Sequence, residues 1–147
     1  MSHPNYRVAV EAVIYNEGKV LLTKRSEDAL VAPGVWNVPA GKVKFEEVPR
    51  TAVIRECEEE TKLQVDIIAE LGTGAFKTKV GDEDAYRLAM TYLVKPKQGE
   101  DVKNMQLNEE HSEAEWVDIK DVINPRFDSI MPRLREIILK IEEEEAK

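Results

Sequence analysis

Residues 41–63 read GKVKFEEVPRTAVIRECEEETKL, a stretch that combines a helical pattern with a dense group of carboxylates. Proline is well tolerated in a first helical turn, so the pattern predicts a helix from near Val48-Pro49 to about Thr61. Glu58 to Glu60 then stand where that helix ends. Anions at a helix C-terminus oppose its dipole and repel one another, by about 0.3–1 kcal/mol for each effect. A compensating cation is therefore expected beside them.

The predicted helix divides its side chains between two sectors, because each residue advances by about 100°. One sector holds Ala52, Glu56, Glu59 and Glu60, and the adjoining sector holds Val53, Ile54, Cys57 and Thr61. The second sector is expected to pack on the core, while Ala52 leaves space above the carboxylates of the first. Within residues 51–61 Arg55 is the only cation against four glutamates, so an ordinary acidic surface balanced by lysines fits poorly. Clustered carboxylates suit Mg²⁺ or Mn²⁺, which prefer oxygen ligands.

Length and charge limit the classes of protein to consider. The chain has 147 residues, the size of one domain, and its 42% apolar content fits a globular protein. No apolar run is long enough for a membrane span, and the start MSHPNYR lacks the apolar stretch of a signal peptide, which predicts a cytoplasmic protein. A net charge of −8 argues against binding of nucleic-acid polymers, whose phosphates need a basic surface. Cys57 is the only cysteine, so there is no internal disulfide.

The rest of the chain alternates strand patterns with helical ones. Strands are predicted at 6–15, 19–25, 35–38, 63–76, 86–96 and 113–119, with polar connections at 77–85 and 97–112. A helical turn is predicted at 120–123 and a last helix at about 128–143, with an apolar stripe of Ile130, Leu134, Ile137, Ile138 and Ile141. This order predicts an α+β fold with a mixed sheet and helices packed on it, in a single domain over 1–147.

With these residues in place, 41–63 resembles the Nudix box, G-x5-E-x7-R-E-U-x-E-E-x-G-U, where U is a bulky aliphatic residue. The matching positions are Gly41, Glu47, Arg55, Glu56, Glu59, Glu60 and Leu63. Cys57 replaces an aliphatic residue, a mild change, and Lys62 replaces the second glycine. If Lys62 keeps a left-handed backbone there, we expect a cost of about 1 kcal/mol. The resemblance covers roughly residues 6–140 and implies the αβα-sandwich Nudix fold with a mixed central sheet and two main helices.

The resemblance also implies a chemistry: metal-dependent hydrolysis of a nucleoside diphosphate linked to another moiety, with Mg²⁺ as cofactor and Mn²⁺ as a substitute. The implied metal ligands are Glu56, Glu59, Glu60 and the Gly41 carbonyl. Glu47 supports them, and Arg55 orients the carboxylates. The general base is either Glu59 or a glutamate of a later loop, with Glu110 the first candidate and Glu109 and Glu113 its competitors. Arg25 is a candidate contact for a substrate phosphate.

The substrate is less determined than the reaction. Thr78 stands where ADP-ribose hydrolases of the family often carry Pro, and Val80 where dinucleoside-polyphosphate hydrolases carry Tyr. The array typical of NADH pyrophosphatases is also missing from the sequence. A nucleoside triphosphate is the leading candidate, with a nucleotide sugar or an ADP-ribose-type substrate as the alternative. A non-catalytic nucleotide-binding module and an unrelated acidic interaction domain are the other classes considered.

Several residues have two interpretations. Trp36 and Phe76 either stack on a base or belong to the core, and core is the commoner outcome. Asn124, Arg126 and Phe127 are weak candidates for reading a base, and His3 and His111 are expected at the surface. We expect a small nucleotide as partner, no membrane contact and no nucleic-acid polymer. A homodimer through the N-terminal strands or the last helix stays open, since core packing explains both equally well.

Overall fold

The computed structural model describes residues 5–141, which form a seven-stranded mixed sheet with helices on both of its faces. The strands are β1 (Tyr6–Asn16), β2 (Lys19–Arg25), β3 (Trp36–Asn37), β4 (Ala40–Lys42), β5 (Val65–Val80), β6 (Glu83–Pro96) and β7 (His111–Asp118). The helices are α1 (Pro49–Thr61) and α2 (Pro132–Leu139), and 3₁₀ turns lie at Val102–Asn104, Ile119–Ile123 and Pro125–Phe127. Within the described range no helix is both long and apolar enough to cross a membrane.

The sheet runs in the order β3-β2-β1-β6-β5, with β4 added to β1 and β7 added to β2. β1 and β6 are parallel, and the other pairs are antiparallel. Only two register pairs, Tyr15 with Val20 and Asn16 with Lys19, join β1 to β2. The two strands therefore diverge from their hairpin, and each then pairs with other strands. The predicted α+β class and mixed central sheet are confirmed, while the extent of the domain over 1–147 stays a prediction.

Alternation along β1 builds two cores, one on each face of the sheet. Val10, Ala12 and Ile14 point towards α1, whereas Val13 points towards α2. The core beneath α1 also holds Leu21, Ala52, Val53, Cys57, Leu63, Val65, Tyr92 and Val94. The core beneath α2 also holds Val20, Leu22, Trp36, Val38, Leu93, Val117, Val122, Phe127, Ile130, Leu134, Ile138 and Ile141. Helices on both faces of one sheet make the αβα sandwich that the sequence predicted.

Helix α1 begins and ends close to where the sequence places it. Pro49 occupies the first turn, where its missing N–H leaves no hydrogen bond unmade. At the other end Lys62 has φ +66°, and its N–H donates to the Glu58 carbonyl at 2.9 Å. Lys62 therefore has the left-handed backbone conformation that the family's glycine would take at this position.

The prediction of a polar connection at 77–85 is wrong. β5 continues to Val80 and β6 starts at Glu83, so the two strands form one long hairpin that turns at Gly81, φ +63°. Polar side chains are tolerated there because they lie on the exposed surface of the ribbon, where Lys79 and Asp84 pair at 3.0 Å. The hydrogen bonds of the ladder, and not apolar burial, hold this end of the hairpin.

The last helix is shorter than the 128–143 predicted from its stripe. It starts at Pro132, because proline has no N–H to donate and disfavours helical geometry in the preceding residue. The residues before it form the 3₁₀ turn Pro125–Phe127 and a bend. The helix ends at Leu139, and positions 142–143 lie outside the described residues. The stripe itself packs: Ile130, Leu134, Ile138 and Ile141 are buried and Ile137 is half-buried.

Candidate active site

Arg55 links the carboxylates of the box. Its Nε and Nη2 donate to the two oxygens of Glu47 at 2.7 and 2.9 Å, which makes a bidentate pair. Nη1 donates to Glu56 at 2.8 Å and to Glu59 at 2.9 Å. Nη2 also donates to the backbone carbonyl of Lys42 at 3.0 Å, which joins α1 to β4. One guanidinium therefore fixes three carboxylates and one strand.

The Glu47–Arg55 pair is the strongest of these links, because charge-assisted bidentate bonds add both energy and geometric specificity. Hydrogen bonds from Arg55, and then from the Lys44 N–H, lower the pKa of Glu47 from 4.5 to about 2. The same pair raises the pKa of Arg55 above its ordinary value. Glu47 is thus an ionised anchor that holds the guanidinium in place.

Gly41 lies directly against the Glu56 carboxyl group. A β-carbon built at Gly41 would stand 2.1 Å from the carboxyl carbon of Glu56, far inside a normal contact. The glycine therefore leaves the space that Glu56 fills beneath β4, and Glu56 is 8% exposed there. A site that needs both the backbone of residue 41 and the carboxylate of residue 56 requires glycine at this position.

Glu60 is the most deeply buried carboxyl group of the box, with 1% of the residue exposed. Its Oε2 accepts a hydrogen bond from the Ala40 N–H at 3.1 Å, but Oε1 has no hydrogen-bond partner among the described residues. Burial, and then the neighbouring Glu56 carboxyl, raise the pKa of Glu60 well above its ordinary value. A buried oxygen without a partner costs free energy, which a bound cation would remove.

His111 corrects the sequence interpretation, which placed it at the surface. It is 7% exposed, and its Nε2 lies 3.2 Å from Oε1 of Glu60, although the two atoms do not have hydrogen-bond geometry. Burial, and then the charge of Arg25, lower the pKa of His111 to about 4, so the imidazole is neutral at pH 7. Ligand atoms of Glu60, Glu110 and His111 lie within 4.8 Å of one another. His3, paired with it in the prediction, lies outside the described residues.

A cleft of about 1350 Å³ opens beside these groups. Glu56, Glu59 and Arg55 line it from α1, and Glu110 lines it from the loop before β7. Its other charged lining residues are Arg7, Glu11, Arg25, Lys42, Lys44, Glu46 and Arg87. Burial, and then the charges of Arg7 and Arg87, lower the pKa of the Lys42 ammonium group. The cleft thus combines carboxylates on one side with a group of cations elsewhere in its lining.

Comparison with known proteins places this geometry in a family. A family model described as the NUDIX domain matches residues 5–139. The chain belongs to the Nudix family. As a Nudix hydrolase it is similar to the crystal structure of the MutT protein from Methanosarcina mazei Go1, with a TM-score of 0.78, 26% identity and full coverage of both chains.

Two of its relatives have names that indicate different substrates. The Nudix hydrolase is 29% identical to the nucleoside triphosphatase NudI of Escherichia coli, over 80% of this chain and 86% of that one. It is 28% identical to the ADP-ribose pyrophosphatase of Methanocaldococcus jannaschii, over 86% of this chain and 69% of that one. Two near-equal likenesses to relatives with different names leave the substrate open.

The structure brings most of the predicted site residues of this Nudix hydrolase together. Gly41, Glu47, Arg55, Glu56, Glu59 and Glu60 form one contact network, as described above. Glu110 lies beside Glu60, whereas its competitor Glu113 pairs with Lys24 at 3.6 Å. Arg25 lines the cleft, with its Nε donating to the Val31 carbonyl at 2.6 Å. Their roles in catalysis and binding stay predictions.

Two other expectations about single residues, for Ala52 and Phe127, are wrong, while Trp36 takes the commoner of its two alternatives. Ala52 does not leave open space, because it is fully buried in the core beneath α1. Phe127 cannot read a base, since it is 1% exposed and packs edge-to-face on Trp36 with ring centroids 5.1 Å apart. Trp36 is thereby a core residue, while Phe76 is half-buried in the cleft wall. Asn124 caps the following turn by accepting from the Arg126 N–H.

Proposed function

We propose that this Nudix hydrolase cleaves the phosphoanhydride bond of a nucleoside diphosphate linked to another moiety, with a nucleoside triphosphate as the leading substrate. The observation that carries the proposal is the carboxylate network at the cleft. Glu56 fills the space that Gly41 leaves, Glu59 stands at the cleft wall, and one buried oxygen of Glu60 has no hydrogen-bond partner within residues 5–141. Oxygen donors in this number suit a hard divalent cation.

Glu56, Glu59, Glu60 and the Gly41 carbonyl would hold Mg²⁺, or Mn²⁺ in its place. When bound, such a cation neutralises phosphate oxygens and makes a water molecule a better nucleophile. Glu110 and His111 lie close enough to Glu60 to contribute as well. Arg55 has a positioning role, since it fixes Glu56 and Glu59 and is itself anchored by Glu47.

Hydrolysis requires a base for the attacking water. The water oxygen bonds to phosphorus, the bridging oxygen leaves with the product phosphate, and a carboxylate takes the water proton. Glu59 and Glu110 both line the cleft and are exposed to it. Glu59 is held by Arg55 on a rigid helix, whereas Glu110 lies on the loop before β7. Both stay candidates for the base, and the variants below distinguish them.

An ADP-ribose-type or nucleotide-sugar substrate is the second candidate, and the M. jannaschii relative carries a name of that class. A panel of nucleoside triphosphates, nucleotide sugars and ADP-ribose, assayed with Mg²⁺, Mn²⁺ or a chelator, compares the two. Chromatography of the products identifies which bond is cut. We expect turnover only with metal and a higher kcat/KM for a triphosphate.

Variants test the site itself. Glu59→Gln and Glu110→Gln each remove one candidate base, and general-base catalysis contributes about 10²–10⁴-fold. Because Glu59 is also a proposed metal ligand, both variants are compared at saturating Mg²⁺, and the larger fall in kcat that persists there identifies the base. Glu58→Gln is the matched control, because it removes a neighbouring carboxylate of the same helix that does not line the cleft. Near-normal turnover of Glu56→Gln and Glu59→Gln would show that the site lies elsewhere.

A further inference from the structure

Three basic side chains of the cleft, Arg7, Lys42 and Arg87, have no role in the hydrolysis described above. Arg7 and Arg87 are register partners in the parallel strands β1 and β6. Ala9 lies two residues after Arg7 on β1, and Lys42 of β4 is its register partner. Paired residues of neighbouring strands, and residues two apart on one strand, point to the same face of a sheet. The three residues, which we call the cation cluster, therefore share one face.

That face is the one covered by α2. Glu11, two residues beyond Ala9 on the same face, accepts hydrogen bonds from Arg133 of α2 and from Thr91. Val10 points the opposite way, into the core beneath α1, and its partner is Gly41. Because Gly41 and Lys42 are adjacent on β4, one short strand separates the cation cluster from the box carboxylates. Both groups line the same cleft, so one ligand in the cleft faces both.

The cation cluster is electrostatically unfavourable in the free protein. Among residues 5–141 no carboxylate lies within 4 Å of a basic nitrogen of Arg7, Lys42 or Arg87. Arg87 is only 9% exposed, and within the described part of the chain its side chain donates one hydrogen bond, to the Tyr86 carbonyl at 3.2 Å. The carboxylate nearest along this face, Glu11, is engaged by Arg133. Like charges gathered near a surface repel, and burial of an unpaired charge adds to the cost.

The chemistry of the cluster indicates its ligand. Guanidinium groups donate in a planar fork that matches phosphate oxygens, and an ammonium group adds a third positive charge. Ala9 and Ala89, which are also register partners on this face, are small and line the cleft beside the arginines. Small side chains leave room for a ligand group, and a chain with a net charge of −8 gains little from a basic patch unless an anion binds it.

We propose that the cation cluster binds a phosphate group of the substrate that is additional to the diphosphate being cut. The cluster thereby sets specificity: a substrate with the extra phosphate is preferred to the same molecule without it. This inference rests on the proposed function, since it names the substrate class of that site. The extra phosphate is either the terminal one of a triphosphate or one attached to the nucleoside.

Two matched pairs of substrates distinguish those sources. The first is a nucleoside triphosphate against its diphosphate, and the second is ADP-ribose against its 2′-phosphate. We expect kcat/KM to favour the phosphorylated member of at least one pair by 10-fold or more, mainly through KM. Arg7→Gln should reduce that preference at least 10-fold, and Arg7→Lys should restore part of it. Arg7 is exposed, so its replacement should leave the fold intact.

Arg50→Gln is the matched control. Arg50 is an exposed arginine that lies outside the cleft and pairs with Glu70 at 3.7 Å, so its replacement removes the same charge elsewhere. The preference should persist in Arg50→Gln. No preference in the wild type for either pair, or an equal loss of activity on both members of a pair in Arg7→Gln, would overturn the inference.

A binding measurement separates this inference from the proposed function. Inorganic tripolyphosphate is titrated calorimetrically into the metal-free protein in EDTA, where no turnover occurs. We expect binding that Arg7→Gln weakens at least 10-fold, and a melting temperature of the ligand-free variant at or above that of the wild type. Binding without hydrolysis of any nucleotide would refute the proposed function alone. Hydrolysis with tripolyphosphate binding that is absent or insensitive to Arg7 would refute the cation cluster alone.

Discussion

Replacement of Lys62 by glycine should stabilise the protein. Lys62 has φ +66° and ψ 13°, a left-handed conformation that costs an L residue about 1–2 kcal/mol. Glycine adopts it without that cost but has a larger entropy in the unfolded chain, worth roughly 0.5–1 kcal/mol. The backbone terms give a gain of about 0.5–1 kcal/mol, and loss of the exposed lysine charge, at the low end of its range, offsets about 0.3 kcal/mol of it. The remaining gain should raise Tm by about 1–2 °C for a domain of this size. The bond from the N–H of residue 62 to the Glu58 carbonyl is kept in the variant.

Lys62→Ala is the control, because it removes the same positive charge and keeps the β-carbon. Loss of a cation near a helix C-terminus costs about 0.3–1 kcal/mol in both variants, so the difference between them isolates the backbone strain. We expect the glycine variant to be about 1 kcal/mol more stable than the alanine variant in urea unfolding monitored by circular dichroism. An alanine variant as stable as the glycine variant would show that the left-handed residue carries no strain.

Three further predictions concern the box. Because the pKa of Glu47 is lowered to about 2, its ionised pair with Arg55 stabilises the fold fully above about pH 4.5, and this contribution is lost as the pH falls through about 2. Acid unfolding curves should therefore show the wild type losing its advantage over Glu47→Gln across that interval, and parallel curves would contradict the pair's role. Gly41→Ala should displace the Glu56 carboxylate and lower kcat/KM about 10–100-fold, with far-UV circular dichroism unchanged. Burial raises the pKa of the Cys57 thiol, so a thiol reagent should modify it only in denaturant, and fast labelling of the native protein would refute this.

Helix α1 and the first hairpin were predictable because their signals are local. The apolar stripe of the box repeats with helical spacing, and Pro49 marks the first turn, so the bounds follow from neighbours within one helix. β1 alternates with a period of two, which identifies both of its faces before any partner strand is known. The left-handed Lys62 followed from the resemblance to the Nudix box, in which a glycine stands at this position. In each case the deciding interactions span only a few residues.

The residues that were misjudged, or that the sequence did not single out, depend on distant pairing. His111 is buried because β7 pairs with β2 and brings it against Glu60 of α1, an arrangement that no local pattern near residue 111 indicates. The cation cluster forms because β1 pairs in parallel with β6, which sets Arg7 beside Arg87 although the two residues are far apart in the sequence. The ends of β5 and β6 within 77–85 were missed because ladder hydrogen bonds and a turn at Gly81 stabilise them, and an apolar face does not.

The single guanidinium of Arg55 makes the carboxylates around it genetically interdependent. Because Glu47, Glu56 and Glu59 share one partner, a change in any of them alters the setting in which the others act. Losses from combined substitutions in this group will therefore not sum, as residues in one network generally couple by about 0.5–3 kcal/mol. Homologues that tolerate a replacement at one of these positions should carry a compensating replacement at another. The shared contacts of Arg55 thus restrict the order in which mutations at these positions accumulate along a lineage.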